Sequence, residues 1–225
     1  MKKIAIISLA FGVTFLLLAP MAFAQSSGNF AAEVNMTTCT MDNGTGALNG
    51  GIQLENFPWK TKIKVPNGSG TSLIIRPSFV TGILTTTKLA TDVGIATAVA
   101  GIQVCADLDE GMINGSTEPV CVMYDKRFQQ LKSNLFTTIL QDCDLVTEGI
   151  QPCELELTLS TLGAHSFDFV GHDIPGGVRE ITVDVSFVDI DKTGGNAAAC
   201  VGPGTVTVTQ TKIFSTSDGI DLSTP

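Results

Sequence analysis

Two histidines, His165 and His172, are the whole imidazole inventory of the chain. Any chemistry that needs a general base near neutral pH therefore runs through one of them. Asp168 and Asp173 lie close by in sequence, and a His/Asp set of this kind could hold a metal or relay a proton. Alternation gives His165 the parity of Phe167 and Phe169, a partly buried position, and places His172 near a strand end between Gly171 and Asp173. No G-x-S-x-G, S-x-x-K or H-E-x-x-H pattern accompanies them. The preferred reading is two hydrogen-bonded histidines at a sheet margin.

Hard oxygen ligands crowd one short stretch: Asp107, Asp109, Glu110, Asn114 and Glu118. Calcium takes six to eight such oxygens in a flexible loop, so the stretch is a candidate Ca²⁺ site. It departs from an EF-hand because Gly111 stands at the fifth position, where a ligand is required. A solvated acidic turn is the reading preferred over it. Asp189, Asp191 and Asn196 form a second, sparser candidate, and no other cofactor is expected.

Sugar-binding sandwiches present aromatic platforms, and this chain has one Trp and one Tyr. Trp59, at the entrance to a strand, is either an exposed platform or a ring that seals a sheet edge, and the second is preferred. Tyr124 shares the parity of Val120 and Val122, which points its ring inward. Lys60, Lys62 and Lys64 alternate with Thr61 and Ile63, so three ammonium groups share one outer face. Lysines there commonly guard a strand edge against other chains. Their functional alternative is a docking patch for the acidic face of another copy.

Six cysteines, Cys39, Cys105, Cys121, Cys143, Cys153 and Cys200, form an even set with no C-x-x-C pair. A disulfide framework is preferred over a metal cluster, although six cysteines permit 15 connectivities. Cys105 and Cys121 each sit between apolar neighbours. If their strands pair as a hairpin across Asp107 to Glu118, both sulfurs project from one face and can join. Cys143 with Cys153 is a plausible local bridge, which leaves Cys39 with Cys200.

The elements that must position these groups follow an export leader. Lys2 and Lys3 precede an apolar run from Ile4 to Leu18, and Ala22-Phe23-Ala24 supplies the small residues a signal peptidase reads, so residues 1–24 are expected to be removed. What remains, residues 25–225, reads as a single domain with its folded extent from Phe30 to Thr216. No later apolar segment is long enough to span a bilayer. The formal charge is −9, and −11 without the leader's two lysines. Such a chain repels phosphate backbones, so nucleic acid is not an expected partner.

Alternating runs separated by Gly, Pro and Asn turns predict eight or more short strands. Glu180 to Phe187 is the clearest, with Ile181, Val183, Val185 and Phe187 inward and Glu180, Thr182, Asp184 and Ser186 outward. Asn43 to Gly51 reads as a flexible loop and His165 to His172 as strand. Ser72 to Ala90 reads as two strands broken near Thr81-Gly82, with Pro77 marking an edge or a bulge. Gly202-Pro203-Gly204 resets the chain before Thr205 to Phe214. Residues 132–141 and 153–160 fit helix or strand. The expected fold is all-β: a two-sheet antiparallel β-sandwich of jelly-roll or Greek-key type, with one or two short helices.

The stretches AHSFDFV (Ala164–Val170), IPGGVREITV (Ile174–Val183) and VGPGTVTV (Val201–Val208) resemble the C-terminal half of a group of uncharacterised secreted bacterial β-sandwich proteins. The likeness covers about a third of the chain and implies fold and export, with no activity to carry over. The function expected from all this is a non-enzymatic structural or adhesive module, periplasmic or extracellular, with a carbohydrate- or calcium-binding module as the alternative. Its expected partner is another copy or a cell-surface component. A donor-strand role for Phe30 to Met41 is disfavoured, because the C-terminus lacks the aromatic ending of chaperone-assembled pilins.

Overall fold

The computed structural model describes residues 29–52, 56–67, 71–90, 95–132, 154–191 and 195–212. The leader, Cys143, Cys153 and residues 133–141 lie outside them. Twelve strands run β1 (Phe30–Asn35), β2 (Cys39–Met41), β3 (Leu48–Gly50), β4 (Asn56–Val65), β5 (Thr71–Ala90), β6 (Ile95–Leu108), β7 (Met112–Ile113), β8 (Val120–Lys132), β9 (Glu154–Ser166), β10 (Phe169–His172), β11 (Gly177–Asp191) and β12 (Gly195–Lys212).

They form a two-sheet antiparallel β-sandwich. One sheet has six strands, in the order β1-β12-β5-β10-β7 with β9 also pairing β5, and the other has the order β4-β11-β6-β8. A small β2–β3 hairpin forms a separate two-stranded sheet that lies against the six-stranded one. From β4 to β9 each successive strand lies in the other large sheet, and the chain crosses again at β10 to β11 and β11 to β12. Each crossing lets both inner faces contribute to one core.

That core follows from period-two alternation. Ile181, Val183 and Val185 of β11 and Ile102, Val104 and Ala106 of β6 are buried from one sheet; Leu73, Ile75, Phe79 and Ile83 of β5 and Val206 and Val208 of β12 are buried from the other. Each large apolar side chain so buried contributes about 1.5–3 kcal/mol relative to exposure.

Several expectations are corrected. Thr71–Ala90 is one 20-residue strand, not two. Gly82 does not break it, because Gly82 lies opposite Cys200 and makes room there for sulfur. Pro77 is not at an edge: β12 runs along one side of β5, and on the other β10 ends at Ile75 and β9 begins at Ser78. The ring therefore occupies a gap between two partners, where a missing N–H costs nothing. Its carbonyl accepts a hydrogen bond from the Tyr124 hydroxyl at 2.7 Å.

The strand expected over His165 to His172 is interrupted at Phe167 and Asp168. Residues 154–160 resolve as strand, because pairing with Leu84 to Ala90 of β5 overrides the helix propensity of Glu and Leu. No helix occurs among the described residues, so the expected short helices are absent there, and none is long and apolar enough to cross a membrane. Asn43 to Gly51 is partly ordered as β3, and Asp42 Oδ1 accepts bonds from the Gly44 and Thr45 amides at 2.9 and 2.7 Å to close the turn. Gly202-Pro203-Gly204 does not separate two strands. β12 continues through it with a register shift between Val201 and Gly204.

Candidate functional site

The two histidines are not brought together. His165 pairs with Phe79 of β5, whereas Gly171, next to His172, pairs with Leu73. At ~3.3 Å per residue along β5 that separation is about 20 Å. His165 is half-buried, with its ring 6.2 Å from that of Tyr124. Asp168 does not serve it, since Asp168 makes a two-point ion pair with Arg76, 2.6 Å from Nη2 to Oδ2. The Arg76 hydrogen bond holds the Asp168 carboxyl below its ordinary value. His172 Nδ1 lies 3.1 Å from Asp173 Oδ2, and its Nε2 is buried without a hydrogen-bond partner among the described residues.

The acidic stretch does not converge either. Asp107 Oδ1 accepts from the Leu108 amide and Asp109 Oδ1 from the Glu110 amide, both at 2.9 Å. Glu110 is 2.7 Å from the buried guanidinium of Arg179. Asn114 Oδ1 accepts from the Val170 amide while its own N–H donates to Val170 O, each at 2.9 Å. Glu118 bonds through its backbone to Ser116. The loop is drawn apart because β7, inside it, joins β10 of the six-stranded sheet. Among the described residues no group of three or more His, Cys, Asp or Glu is placed to hold a metal. The side chains of Asp189 and Asp191 lie outside the description, and Asn196 is exposed on β12.

Of the two readings of Trp59, the exposed platform is set aside and the ring lies inside, on the edge strand β4. It is 1% exposed, packed 4.9 Å from the ring of Phe79, so it offers no platform to a sugar. The lysine alternation already required this: with Lys60, Lys62 and Lys64 outward on β4, Trp59, Thr61 and Ile63 face in. β4 is an edge of its sheet, as the edge-guarding reading expects. Two of its charges are shared internally, Lys60 with Glu180 Oε1 at 3.2 Å and Lys62 with Glu180 Oε2 at 3.4 Å. Those bonds, Lys60 first, hold the Glu180 carboxyl below its ordinary value.

The cysteines are joined as Cys105–Cys121, directly across the β6–β8 pair, and Cys39–Cys200, which spans 161 residues. The second bridge fastens β2 to β12 over the outer face of the six-stranded sheet, where Gly82 leaves the space it fills.

No family model matches the sequence, and no curated protein matches it. Among solved structures, the chain is similar to dimeric latent PorU from Porphyromonas gingivalis at 12% identity, covering 82% of this chain and 13% of that one, with a TM-score of 0.23. The chain thus spans about an eighth of that protein's length, and a score this low carries no argument. The fold assignment rests on the strands themselves.

One feature was missed by reading side-chain types. β1 presents Phe30, Ala32 and Val34 to solvent, followed by Met36, with Phe30 65%, Val34 57% and Met36 79% exposed. A shallow recess of about 260 Å³ lies on the same sheet, lined by Ser78, Val80, Ala164, Ser166 and Pro203 with Phe79 and His165 beneath. The alternation in FAAEVNM carries this signal, but only the pairing of β1 with β12 says which side faces out.

Proposed function

We propose that the chain is an exported structural or adhesive module, non-enzymatic, which works by presenting a stapled β surface outside the cytoplasm. The observation that carries this reading is the Cys39–Cys200 bridge, which ties the start of the described domain to its last strand. A cross-link of that kind persists in an oxidising compartment, and it fits a periplasmic or extracellular address. It also holds the two ends of the domain together against unravelling. The acidic charge supports a protein–protein or cell-surface partner over nucleic acid.

Cell fractionation with thiol mapping tests the reading. The expected result is a chain outside the cytoplasm, with Cys39, Cys105, Cys121 and Cys200 oxidised, retained by the cell surface or by sedimentable material. A cytosolic chain with reduced thiols overturns it, as does an oxidised chain that nothing retains.

A further inference from the structure

β1 is built inside out. Beside it on β12, Val206 and Val208 face the core while Thr205, Thr207 and Thr209 face outward. Directly paired residues share a side, so register places Glu33 and Ala31 with the two valines, and Val34, Ala32 and Phe30 with the three threonines. The larger apolar side chains of β1 are therefore on its solvent side. A one-residue slip would turn them inward, yet the observed register keeps them out.

The surface around them continues the pattern. Register carries Phe30 through Thr209 and Ile74 to Val170 in one row, and Val34 through Thr205 and Ser78 to Ser166 in another. Between these rows lie Arg76 and Asp168, bonded to each other. Further along, Lys88 and Glu156 form a second pair at 3.0 Å. Among the described strand residues of this face the charges thus fall into these two pairs, with the Asp42 carboxylate on the overlying β2–β3 hairpin besides, on a chain of net −9. The outer face of the other sheet instead carries Lys60, Lys62, Lys64, Asp107, Glu180 and Asp184.

From these features we infer that the outer face of the six-stranded sheet, centred on β1, β12 and β5, docks a second copy of this chain face to face. This deepens the module reading and rests on it. Three properties select that occupant. A two-fold contact apposes the same patch on both copies, and a neutral patch is where two like-charged acidic chains can approach. Arg76 and Asp168 are complementary across such an axis as they are within one copy. The face also holds both halves of an apolar fit, since Phe30 and Met36 project from it and the recess beside Pro203 lies in it. At about 260 Å³ the recess falls below the ~300–1,000 Å³ of small-molecule pockets and suits a single large side chain.

Four strands about 4.8 Å apart and some six residues along each give roughly 400 Å² per copy. That is about half of the ~800 Å² per partner of a standard specific interface, which puts the dimer in the weak, reversible class.

Sedimentation velocity on the oxidised chain from about 1 to 200 µM tests this. A monomer–dimer transition is expected, with the dissociation constant raised at least about tenfold by Val34→Lys, by Phe30→Ser and by Thr207→Lys on the neighbouring strand. These side chains lie on the solvent side, so far-UV circular dichroism should be unchanged in all three. Phe128→Ser, on the outer face of the other sheet, should leave the transition in place. A monomer at every concentration overturns the inference, as does undiminished dimer in Val34→Lys and Phe30→Ser, or loss of dimer in Phe128→Ser. A chain that is oxidised and surface-retained yet dimerises without this face removes the inference and leaves the module reading standing.

Discussion

The side-chain amide of Gln129 on β8 is hydrogen-bonded to the hydroxyl of Thr87 on β5, 2.7 Å away, across the interior between the two sheets. Gln129 is only 5% exposed, and it also accepts from Thr85 Oγ1 and donates to the Leu157 carbonyl of β9, both at 2.7 Å. One amide therefore joins three strands where β8 and β9 close the side of the sandwich. A buried polar network of this kind is stabilising only while every member is satisfied.

Replacing Gln129 alone should expose that dependence. Gln129→Leu leaves two buried hydroxyls and a carbonyl without partners, at a cost of about 3 kcal/mol. Adding Thr85→Val and Thr87→Val removes the two hydroxyls, so the triple variant should recover at least half of the loss. Urea unfolding followed by Trp59 fluorescence is the measurement. A triple variant no more stable than the single one would show that the network is not what holds this corner.

The two disulfides should differ in what they contribute. Cys105–Cys121 spans 16 residues and Cys39–Cys200 spans 161. In the chain-entropy account these loops correspond to about 3 and about 5 kcal/mol. Paired Cys→Ala replacements should therefore lower stability more for the long bridge, by about 2 kcal/mol. Equal losses would mean that native packing around the sulfurs, rather than loop closure, sets the effect.

Gly82→Ala tests the room made for the long bridge. An added Cβ would sit 2.9 Å from Cys39 Sγ, 3.0 Å from Leu48 Cδ2 and 3.1 Å from Cys200 Sγ. Three neighbours must give way at once, so the substitution should cost about 1–3 kcal/mol. It should also speed reduction of Cys39–Cys200 by dithiothreitol relative to Cys105–Cys121. Wild-type stability and unchanged reduction would place the bridge elsewhere than over Gly82.

How much of this was legible in the sequence divides along a physical line. Alternation encodes which side of a strand faces in, so Glu180 to Phe187 and the β6–β8 hairpin with Cys105 opposite Cys121 were readable. The same rule applied to Lys60, Lys62 and Lys64 places Trp59 in the core, where the residue's type alone left an exposed platform open as the alternative. Alternation does not encode which strand lies alongside. Pro77 in a gap between β9 and β10, β7 leaving its hairpin for the other sheet, and Gly82 as space for sulfur are all set by partners far away in sequence. The acidic stretch and the His/Asp set are drawn apart for the same reason. Glu110 meets Arg179 and Asp168 meets Arg76, and no local spacing announces either pair.

Acidification should weaken the fold within a narrow range. Asp168 is held below 3.8 by the hydrogen bond from Arg76, and Glu180 and Glu156 below 4.5 by Lys60 with Lys62 and by Lys88. Each folded carboxyl titrates below its unfolded value. The stability they supply is therefore complete above the unfolded values and is lost as pH falls through the folded ones. Urea midpoints should be level from about pH 7 to about 5 and decline below about 4. Asp168→Asn should make that decline shallower, by a modest amount because the pair is solvent-screened. An identical slope in the variant would assign acid sensitivity to other groups.

Tyr124 should resist ionisation at the opposite end of the scale, and as the chain's one tyrosine it can be followed without interference. Burial pushes its phenol well above the ordinary 10.0; the Asp168 charge adds to this and a backbone hydrogen bond from Phe167 opposes it. Its proton also serves the Pro77 carbonyl, which ionisation would leave without that donor. A folded value above the unfolded one means that this stabilisation is present below pH ~10 and is lost as pH rises through the folded value. The tyrosinate absorption band should thus be absent at about pH 11 while the circular dichroism is native, and should rise near pH 10 in about 6 M guanidinium. Tyr124→Phe should cost about 1 kcal/mol at neutral pH. A native chain that shows the tyrosinate band near pH 10 would mean that the ring is open to water, and that the gap at Pro77 is closed by something other than this hydroxyl.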